Sequence, residues 1–184
     1  MHKSKKTNNM KTLNIKFLAL TLLALLSGVN SYAQISKAEI MATGLTCSLC
    51  SNAINKQLKS MTQVDSISTD LNTNTFTVYF KENTLLQPKV LKTAVEKAGF
   101  FVGSMVLTMK LDPQNLQDNS TLKIEDGLFI FIDPNNPISD KETQYRVLDK
   151  GFVTQKEYKK LAKSYSKHPS YMAENENDYH IKAI

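Results

Sequence analysis

The chain has two cysteines, Cys47 and Cys50, with two residues between them in the stretch GLTCSLCSNAI. Thiols at this spacing can form a disulfide cross-link, act as a redox pair or hold a metal ion. Closing so short a loop removes little conformational entropy from the unfolded chain, so a purely structural disulfide would add little stability. The main choice is therefore between redox chemistry and metal binding.

A thiol–disulfide redox pair is the first of the two remaining interpretations. The C-x-x-C spacing near a βαβ pattern is typical of thioredoxin-like proteins. Here, however, Ser48 and Leu49 stand between the cysteines in place of Gly-Pro, and the chain contains no tryptophan that could precede Cys47. The elements that follow are also too compact for that fold. Redox chemistry therefore stays an alternative to metal binding.

Metal binding by two thiolates fits the residue types better. Cys47 lies in a predicted loop and Cys50 in the first turn of a predicted helix, where the positive end of the helix dipole favours thiolate over thiol. A structural zinc site takes four protein ligands, whereas residues 35–110 contain two cysteines and no histidine. Two sulfur ligands suit a soft monovalent ion, above all Cu(I), with zinc or another borderline metal as the alternative.

The elements that must position the cysteines follow from hydrophobic periodicity. The stretch ISKAEIMATG alternates like a β-strand and breaks at Gly44. Apolar residues at helical spacing predict a helix from about Ser48 to Ser60. The next two stretches, VDSISTDL and TFTVYF, predict a hairpin of two strands around a loop at Asn72 to Asn74.

A second helix and a last strand complete this part of the chain. The helix LQPKVLKTAVEKAGF has Pro88 near its first turn and Gly99 at its end, and a strand follows from Phe101 to Lys110. This order predicts an α+β fold, a ferredoxin-like βαββαβ sandwich over residues 35–110, with both helices on one face of a four-stranded antiparallel sheet. The expected inward-facing residues are Phe76, Val78 and Phe80 in the hairpin and Val90, Leu91, Ala94, Val95 and Ala98 in the helix.

The segment GLTCSLCSNAINKQL, the element order and the EKAGF that ends the second helix together resemble the heavy-metal-associated domain of copper chaperones and copper-transporting P-type ATPases. The family's loop reads Gly-Met-Thr-Cys-x-x-Cys, and Leu45 stands in place of the methionine, which mostly packs beneath the loop. The resemblance implies that Cys47 and Cys50 are the metal ligands. It also implies that Thr46 only shapes the loop and that Phe100 is an aromatic neighbour of the metal.

The resemblance covers residues 35–110 and leaves the C-terminal part unassigned. Residues 111–120 are polar, with a proline and no periodicity, and are predicted to be a linker. Residues 121–184 are predicted to form a small, β-rich α+β domain of unknown function, whose one helix starts after Thr154 in the capping box TQKE. A domain of this size is marginal for an independent core, so it could rest on the first domain.

Within this C-terminal part, the stretch TLKIEDGLFIFID predicts two strands, or one bent strand, around a turn at Asp126 and Gly127. Further strands are predicted for TQYRVLD and YHIKAI. The helix is expected to turn Tyr158, Leu161, Ala162 and Tyr165 inward.

Side chains outside the cysteine loop were weighed as further ligands or catalytic groups. Imidazole and thioether both suit copper, but methionines in strands usually fill core space, and two separated histidines make no site. No Ser/His/Asp order, phosphate loop or nucleotide motif is present, so we expect a non-enzymatic protein. The residues considered as further copper ligands were His168, His180, Met105, Met109 and Met172. The aspartates Asp126, Asp133, Asp140 and Asp149 are expected at turns. The tyrosines Tyr158, Tyr165 and Tyr171 are expected to pack.

Residues 1–33 have the layout of a secretory signal peptide. Residues 1–33 contain five of the 23 basic residues of the chain and none of its 17 acidic residues. The apolar run FLALTLLALL is too short to span a bilayer of about 30 Å as a helix. The small residues of SYA predict cleavage after Ala33, with an uncleaved membrane anchor as the alternative. Cleavage leaves 18 basic and 17 acidic residues and lowers the net charge from +6 to +1, so no nucleic-acid partner is expected.

These features predict an exported, periplasmic or secreted metal chaperone or scavenger that holds Cu(I) between Cys47 and Cys50. The expected partners are the metal ion and a copper transporter or metalloprotein acceptor, with no membrane insertion after the signal peptide is removed. Two alternatives stay open: a thiol–disulfide redox protein that uses the same pair, and a partner-binding module whose metal site is vestigial.

Overall fold

The computed structural model describes residues 34–45, 48–111, 121–132 and 142–184. The predicted signal peptide, Thr46, Cys47 and residues 112–120 of the predicted linker lie outside these ranges. No helix among the described residues is long and apolar enough to cross a lipid bilayer.

The first six elements follow the predicted order βαββαβ. Strand β1 lies between β3 and β4, and β2 pairs with β3 at the edge, with every pair antiparallel. The ferredoxin-like prediction for this part is therefore confirmed. The bounds are β1 Gln34–Thr43, α1 Ser48–Lys59, β2 Val64–Asp70, β3 Thr75–Phe80, α2 Pro88–Lys97 and β4 Phe101–Lys110.

The core of this part contains most of the side chains that were predicted to face inward. In β3, the alternate residues Phe76 and Val78 are fully buried, as expected for one face of a strand. Leu91 and Val95, one helical turn apart in α2, are also fully buried. The prediction is wrong for Val90, which is 40% exposed, because neighbouring helix positions point about 100° apart and Leu91 takes the inward direction.

The C-terminal residues form four more strands and a third helix. The stretch around Asp126 and Gly127 forms two strands and not one bent strand, since β5 and β6 pair antiparallel. Strand β6 then pairs in parallel with β8, and β8 pairs antiparallel with β7. The bounds are β5 Thr121–Ile124, β6 Gly127–Phe131, β7 Thr143–Val147, α3 Gln155–Ser164 and β8 Asp178–Ala183.

Both parts of the chain contribute to one sheet of eight strands, in the order β2-β3-β1-β4-β7-β8-β6-β5. The junction is the antiparallel pair β4 and β7, in which Leu107 lies opposite Tyr145. Apolar residues of both parts belong to one buried cluster. The division into two domains stays a prediction, but the sheet and the hydrophobic core continue from the first part into the second.

Polar contacts also join the two parts at the start of α2. Gln87, which directly precedes the helix, is buried, and its Oε1 accepts a hydrogen bond of 3.2 Å from the hydroxyl of Tyr179 in β8. Its Nε2 donates to Asp126. A Cβ atom on Gly127 would lie only 3.0 Å from Cε2 of Tyr179 and 3.3 Å from Cγ of Gln87, so glycine permits this close approach.

Helix α3 begins at the predicted N-cap. The Oγ1 of Thr154 accepts a hydrogen bond of 3.3 Å from the backbone N–H of Glu157. The Glu157 carboxylate does not reach back to the cap as a capping box would suggest; its Oε1 lies 2.8 Å from a guanidinium nitrogen of Arg146 in β7. The predicted inward residues of the helix are half-buried, and none of them is fully buried.

Replacing Thr154 with alanine should lower the free energy of unfolding by about 1 kcal/mol, because the Glu157 N–H loses its side-chain acceptor. Thermal unfolding followed by circular dichroism measures this loss. Thr154→Ser keeps the hydroxyl and should retain most of the stability. Equal destabilisation by both substitutions would show that the threonine methyl group, and not the cap, is what matters.

Candidate metal centre

The loop that leads to the cysteines is shaped by Gly44 and Leu45. Gly44 has φ of +90°, a left-handed conformation that glycine adopts without strain. Leu45 packs against the hydrophobic core, which agrees with the packing role implied for the position. Phe100 lies beside the same loop, since a Cβ atom on Gly44 would be 3.9 Å from its Cδ1.

Cys50 is the cysteine that the structure describes. Helix α1 begins at Ser48, so Cys50 occupies the first turn, as the sequence predicts. Its side chain is half-buried, and the first turn contains no acidic residue that would offset the positive end of the helix dipole. Cys47 and Thr46 lie outside the described residues, so the ligand role of the pair stays a prediction.

A larger ligand cluster is not found in the part of the chain that the structure describes. Within that part, no three or more His, Cys, Asp or Glu side chains are placed to hold one metal ion. In sequence, the soft ligand nearest to Cys50 is Cys47.

The methionines considered as extra ligands and the aspartates considered as catalytic groups fall mostly into structural roles. Met105 and Met109 in β4 are fully buried, which confirms that they fill core space. Met172 is 53% exposed. Asp126 lies at the β5–β6 turn as expected, while Asp133 and Asp140 lie outside the described residues.

The interpretation of His168 and His180 as separated residues is wrong. Their ring centroids are 5.7 Å apart, and the Oγ of Ser170 lies 3.1 Å from Nδ1 of His168 and 2.9 Å from Nε2 of His180. The Nδ1 of His180 lies 2.7 Å from Oδ1 of Asp149. Four residues from three segments thus form a connected hydrogen-bonded cluster.

The electrostatics of this region follow from burial. Desolvation, with a smaller effect of nearby His180, lowers the pKa of His168 below its ordinary value, which favours the neutral ring. Desolvation and the hydrogen bond to Glu174 raise the pKa of Tyr158 to about 12. Desolvation also raises the pKa of Tyr171, a buried residue whose hydroxyl donates to the Leu148 carbonyl at 2.7 Å.

Few features of the sequence indicate the cluster of Asp149, His168, Ser170 and His180. The spacing of His168 and Ser170 in the stretch SKHPSYM is its one local signal. Asp149 follows β7 and His180 lies within β8, so their meeting depends on how two distant strands pair. Periodicity alone does not predict that pairing.

Comparison with known protein families finds a match for the first part of the chain. Residues 39–101 match the family model of the heavy-metal-associated domain. The matched range runs from β1 through the cysteine loop to the start of β4. No curated protein sequence matches the chain.

Several solved structures are similar to the same part. One is the copper-binding domain of HMA7, a P-type ATPase, with 33% identity over 36% of this chain and 88% of that one. Another is the N-terminal domain of a potential copper-translocating P-type ATPase from Bacillus subtilis, 31% identical over 36% and 82%. A third is the yeast copper transporter domain Ccc2a, 29% identical over 35% and 88%. All three have a TM-score of 0.33.

Proposed function

Since residues 39–101 match the family model of the heavy-metal-associated domain, we propose that the chain is an exported metal chaperone or scavenger that holds Cu(I) between the thiolates of Cys47 and Cys50. The observation that carries the proposal is the position of Cys50. It lies in the first turn of α1, where the helix dipole stabilises a thiolate. Two thiolates are a ligand set that suits a soft monovalent ion.

The loop before the helix supports a metal site at this place. Leu45 packs against the core and Phe100 lies beside Gly44, so the last described residues before the cysteines are anchored to the fold. Anchoring of a binding segment lowers the conformational entropy that is lost when a ligand binds.

Transfer of the ion follows from the small number of ligands. An incoming thiolate of an acceptor can add to the copper and give a three-coordinate intermediate. One resident sulfur–copper bond then breaks, and the second breaks when the acceptor supplies its other ligand. The copper remains Cu(I) throughout, so the exchange needs no oxidant or reductant. The acceptor we propose is a copper transporter or a metalloprotein with accessible thiolates.

Export sets one condition on this function. In an oxidising compartment the pair of thiols forms a disulfide readily, and a disulfide has no thiolate to offer a metal. The chain must therefore bind copper before it is oxidised or be reduced by a partner.

Mature protein isolated from the periplasm or the medium should begin at Gln34 if the predicted signal peptide is removed.

An anaerobic titration of the reduced full chain with Cu(I), in the presence of a competing chelator, tests the proposed function. We expect about one Cu(I) per chain to be withdrawn from the chelator, as a single thiolate pair allows. Failure to withdraw copper, together with catalysed reduction of insulin disulfides, would contradict metal binding and favour the redox alternative.

A further inference from the structure

The cluster around His180 contains three residues in the arrangement of a nucleophilic triad. Asp149 follows β7, Ser170 lies in the turns after α3, and His180 lies in β8. The Oδ1 of Asp149 is 2.7 Å from Nδ1 of His180, and Nε2 of the same ring is 2.9 Å from Oγ of Ser170. These are the base–orienter and nucleophile–base hydrogen bonds of a Ser-His-Asp triad, which is recognised by geometry and not by chain order.

Asp149 fixes both the orientation and the tautomer of the imidazole. A carboxylate oxygen 2.7 Å from Nδ1 requires the proton on that nitrogen, which leaves the Nε2 lone pair to accept the serine hydroxyl proton. The other carboxylate oxygen, Oδ2, accepts a hydrogen bond of 2.6 Å from the backbone N–H of His180. The carboxylate is thereby held against the residue that it orients.

The surroundings of the cluster bury the base more deeply than the serine. His180 is only 2% exposed, and the ring of Tyr171 packs edge-on against it with centroids 5.0 Å apart. Ser170 is only partly buried. Asp149 of the cluster and Tyr171 also line a neighbouring cavity of about 440 Å³, whose lining residues do not include Ser170 or His180.

His168 adds a second imidazole to the serine. Its Nδ1 lies 3.1 Å from Oγ of Ser170. Because the Ser170 hydroxyl proton is directed to His180, the neutral ring of His168 satisfies this contact by donating its own N–H to the oxygen. The contact with His168 therefore helps to hold the Ser170 oxygen in place beside His180.

We propose that Ser170 is an activated nucleophile that transfers acyl groups from small esters to water. Ser170 Oγ bonds to the ester carbonyl carbon, and its proton passes to Nε2 of His180. The carbon–oxygen bond to the alcohol breaks, and the alcohol leaves with that proton. Water then attacks the acyl-serine by the same proton path, releasing the acid and restoring the hydroxyl. Ser170 and His180 are the catalytic residues, and Asp149 is a positioning residue.

This activity is independent of metal binding. None of its residues belongs to the matched domain, residues 39–101, and no step uses a thiolate or a metal ion. The test can therefore fail while the proposed copper function stands, and the reverse is also true.

Covalent labelling of the full chain with a fluorophosphonate probe tests the proposal. The serine oxygen displaces fluoride from phosphorus, and the proton leaves with the fluoride as HF. We expect one phosphonyl adduct, located on Ser170 by peptide mass mapping of the wild-type chain. Ser170→Ala should abolish it, whereas Ser166→Ala should leave it unchanged, because Ser166 only donates to the Lys163 carbonyl. Absence of an adduct, or labelling of Ser166 at the same rate, overturns the proposal.

Two further variants separate activation from simple exposure of the serine. His180→Gln should slow labelling of Ser170 by about 100-fold or more, since a general base contributes about that much. Asp149→Asn should lower the maximal labelling rate without changing the probe concentration that gives half of it. Labelling that is as fast in His180→Gln as in the wild type would also overturn the proposal. If either variant does not fold, the adduct position on the wild-type chain still decides.

Discussion

Replacing Cys50 with serine should lower the affinity of the reduced chain for Cu(I) by at least about 100-fold. Loss of a group that only orients a ligand already costs about 10–100-fold in metal affinity, and this substitution removes one of the two proposed ligands. A serine hydroxyl is a hard oxygen ligand and replaces a thiolate poorly for a soft ion. Competition of each variant against a Cu(I) chelator under anaerobic conditions measures the change.

Asn52→Ala is the matched control for this prediction. Asn52 lies two residues after Cys50 in the same helix, is exposed and has no ligand role in the proposal. Its replacement should leave the copper affinity within about a factor of two, and Cys47→Ser should behave like Cys50→Ser. Retention of wild-type affinity by Cys50→Ser would contradict the thiolate pair, and equal losses in Cys50→Ser and Asn52→Ala would point to a damaged helix.

Replacing Tyr179 with alanine should lower the free energy of unfolding by about 3–5 kcal/mol, the range for truncating a buried aromatic residue. Tyr179 is fully buried in β8. Its ring packs against Phe129 and Phe152, with centroids 5.2 and 5.9 Å away, and its hydroxyl bonds to Gln87 at the start of α2. The side chain therefore stabilises both the C-terminal strands and their junction with the first part.

Urea unfolding followed by far-ultraviolet circular dichroism tests this prediction, since the chain has no tryptophan to report on unfolding. Tyr79→Ala is the control: the same substitution in β3, where the side chain is 43% exposed, should cost less than about 1 kcal/mol. Tyr179→Phe should cost about 1–3 kcal/mol, because it leaves the buried Gln87 oxygen without its donor.

The shape of the unfolding curve carries a second test. Because β4 and β7 pair within one sheet, we expect a single transition whose midpoint moves as a whole in Tyr179→Ala. Two transitions, of which only one moves, would contradict the continuity of the sheet and favour two independently stable domains.

Local patterns were sufficient to predict the βαββαβ part of the fold. Alternation in TFTVYF predicted the buried face of β3, and Pro88 begins α2 while Gly99 follows its end, as expected. The same patterns located the start of α1 and hence the place of Cys50 in its first turn. The error at Val90 arose because an apolar residue was assigned to the inward face from its type, although its helical position directs it outward.

The arrangement of the C-terminal strands could not be predicted in the same way. Alternation of apolar and polar residues identifies a strand but not the strand that pairs with it. Strand β7 pairs with β4 across 32 intervening residues, and no local sequence signal specifies a partner at that separation. The cluster of Asp149, Ser170 and His180 could not be predicted for the same reason, since the order of strands in the sheet brings its segments together. The functional residues missed from the sequence are thus those that depend on long-range pairing.

X-ray absorption at the copper edge of the Cu(I)-loaded chain tests the proposed metal centre most directly, because it identifies the atoms bonded to the ion. We expect a first coordination shell of two sulfur atoms, with no nitrogen or oxygen ligand at bonding distance. A shell composed of nitrogen or oxygen atoms would contradict it and would place the copper away from Cys47 and Cys50.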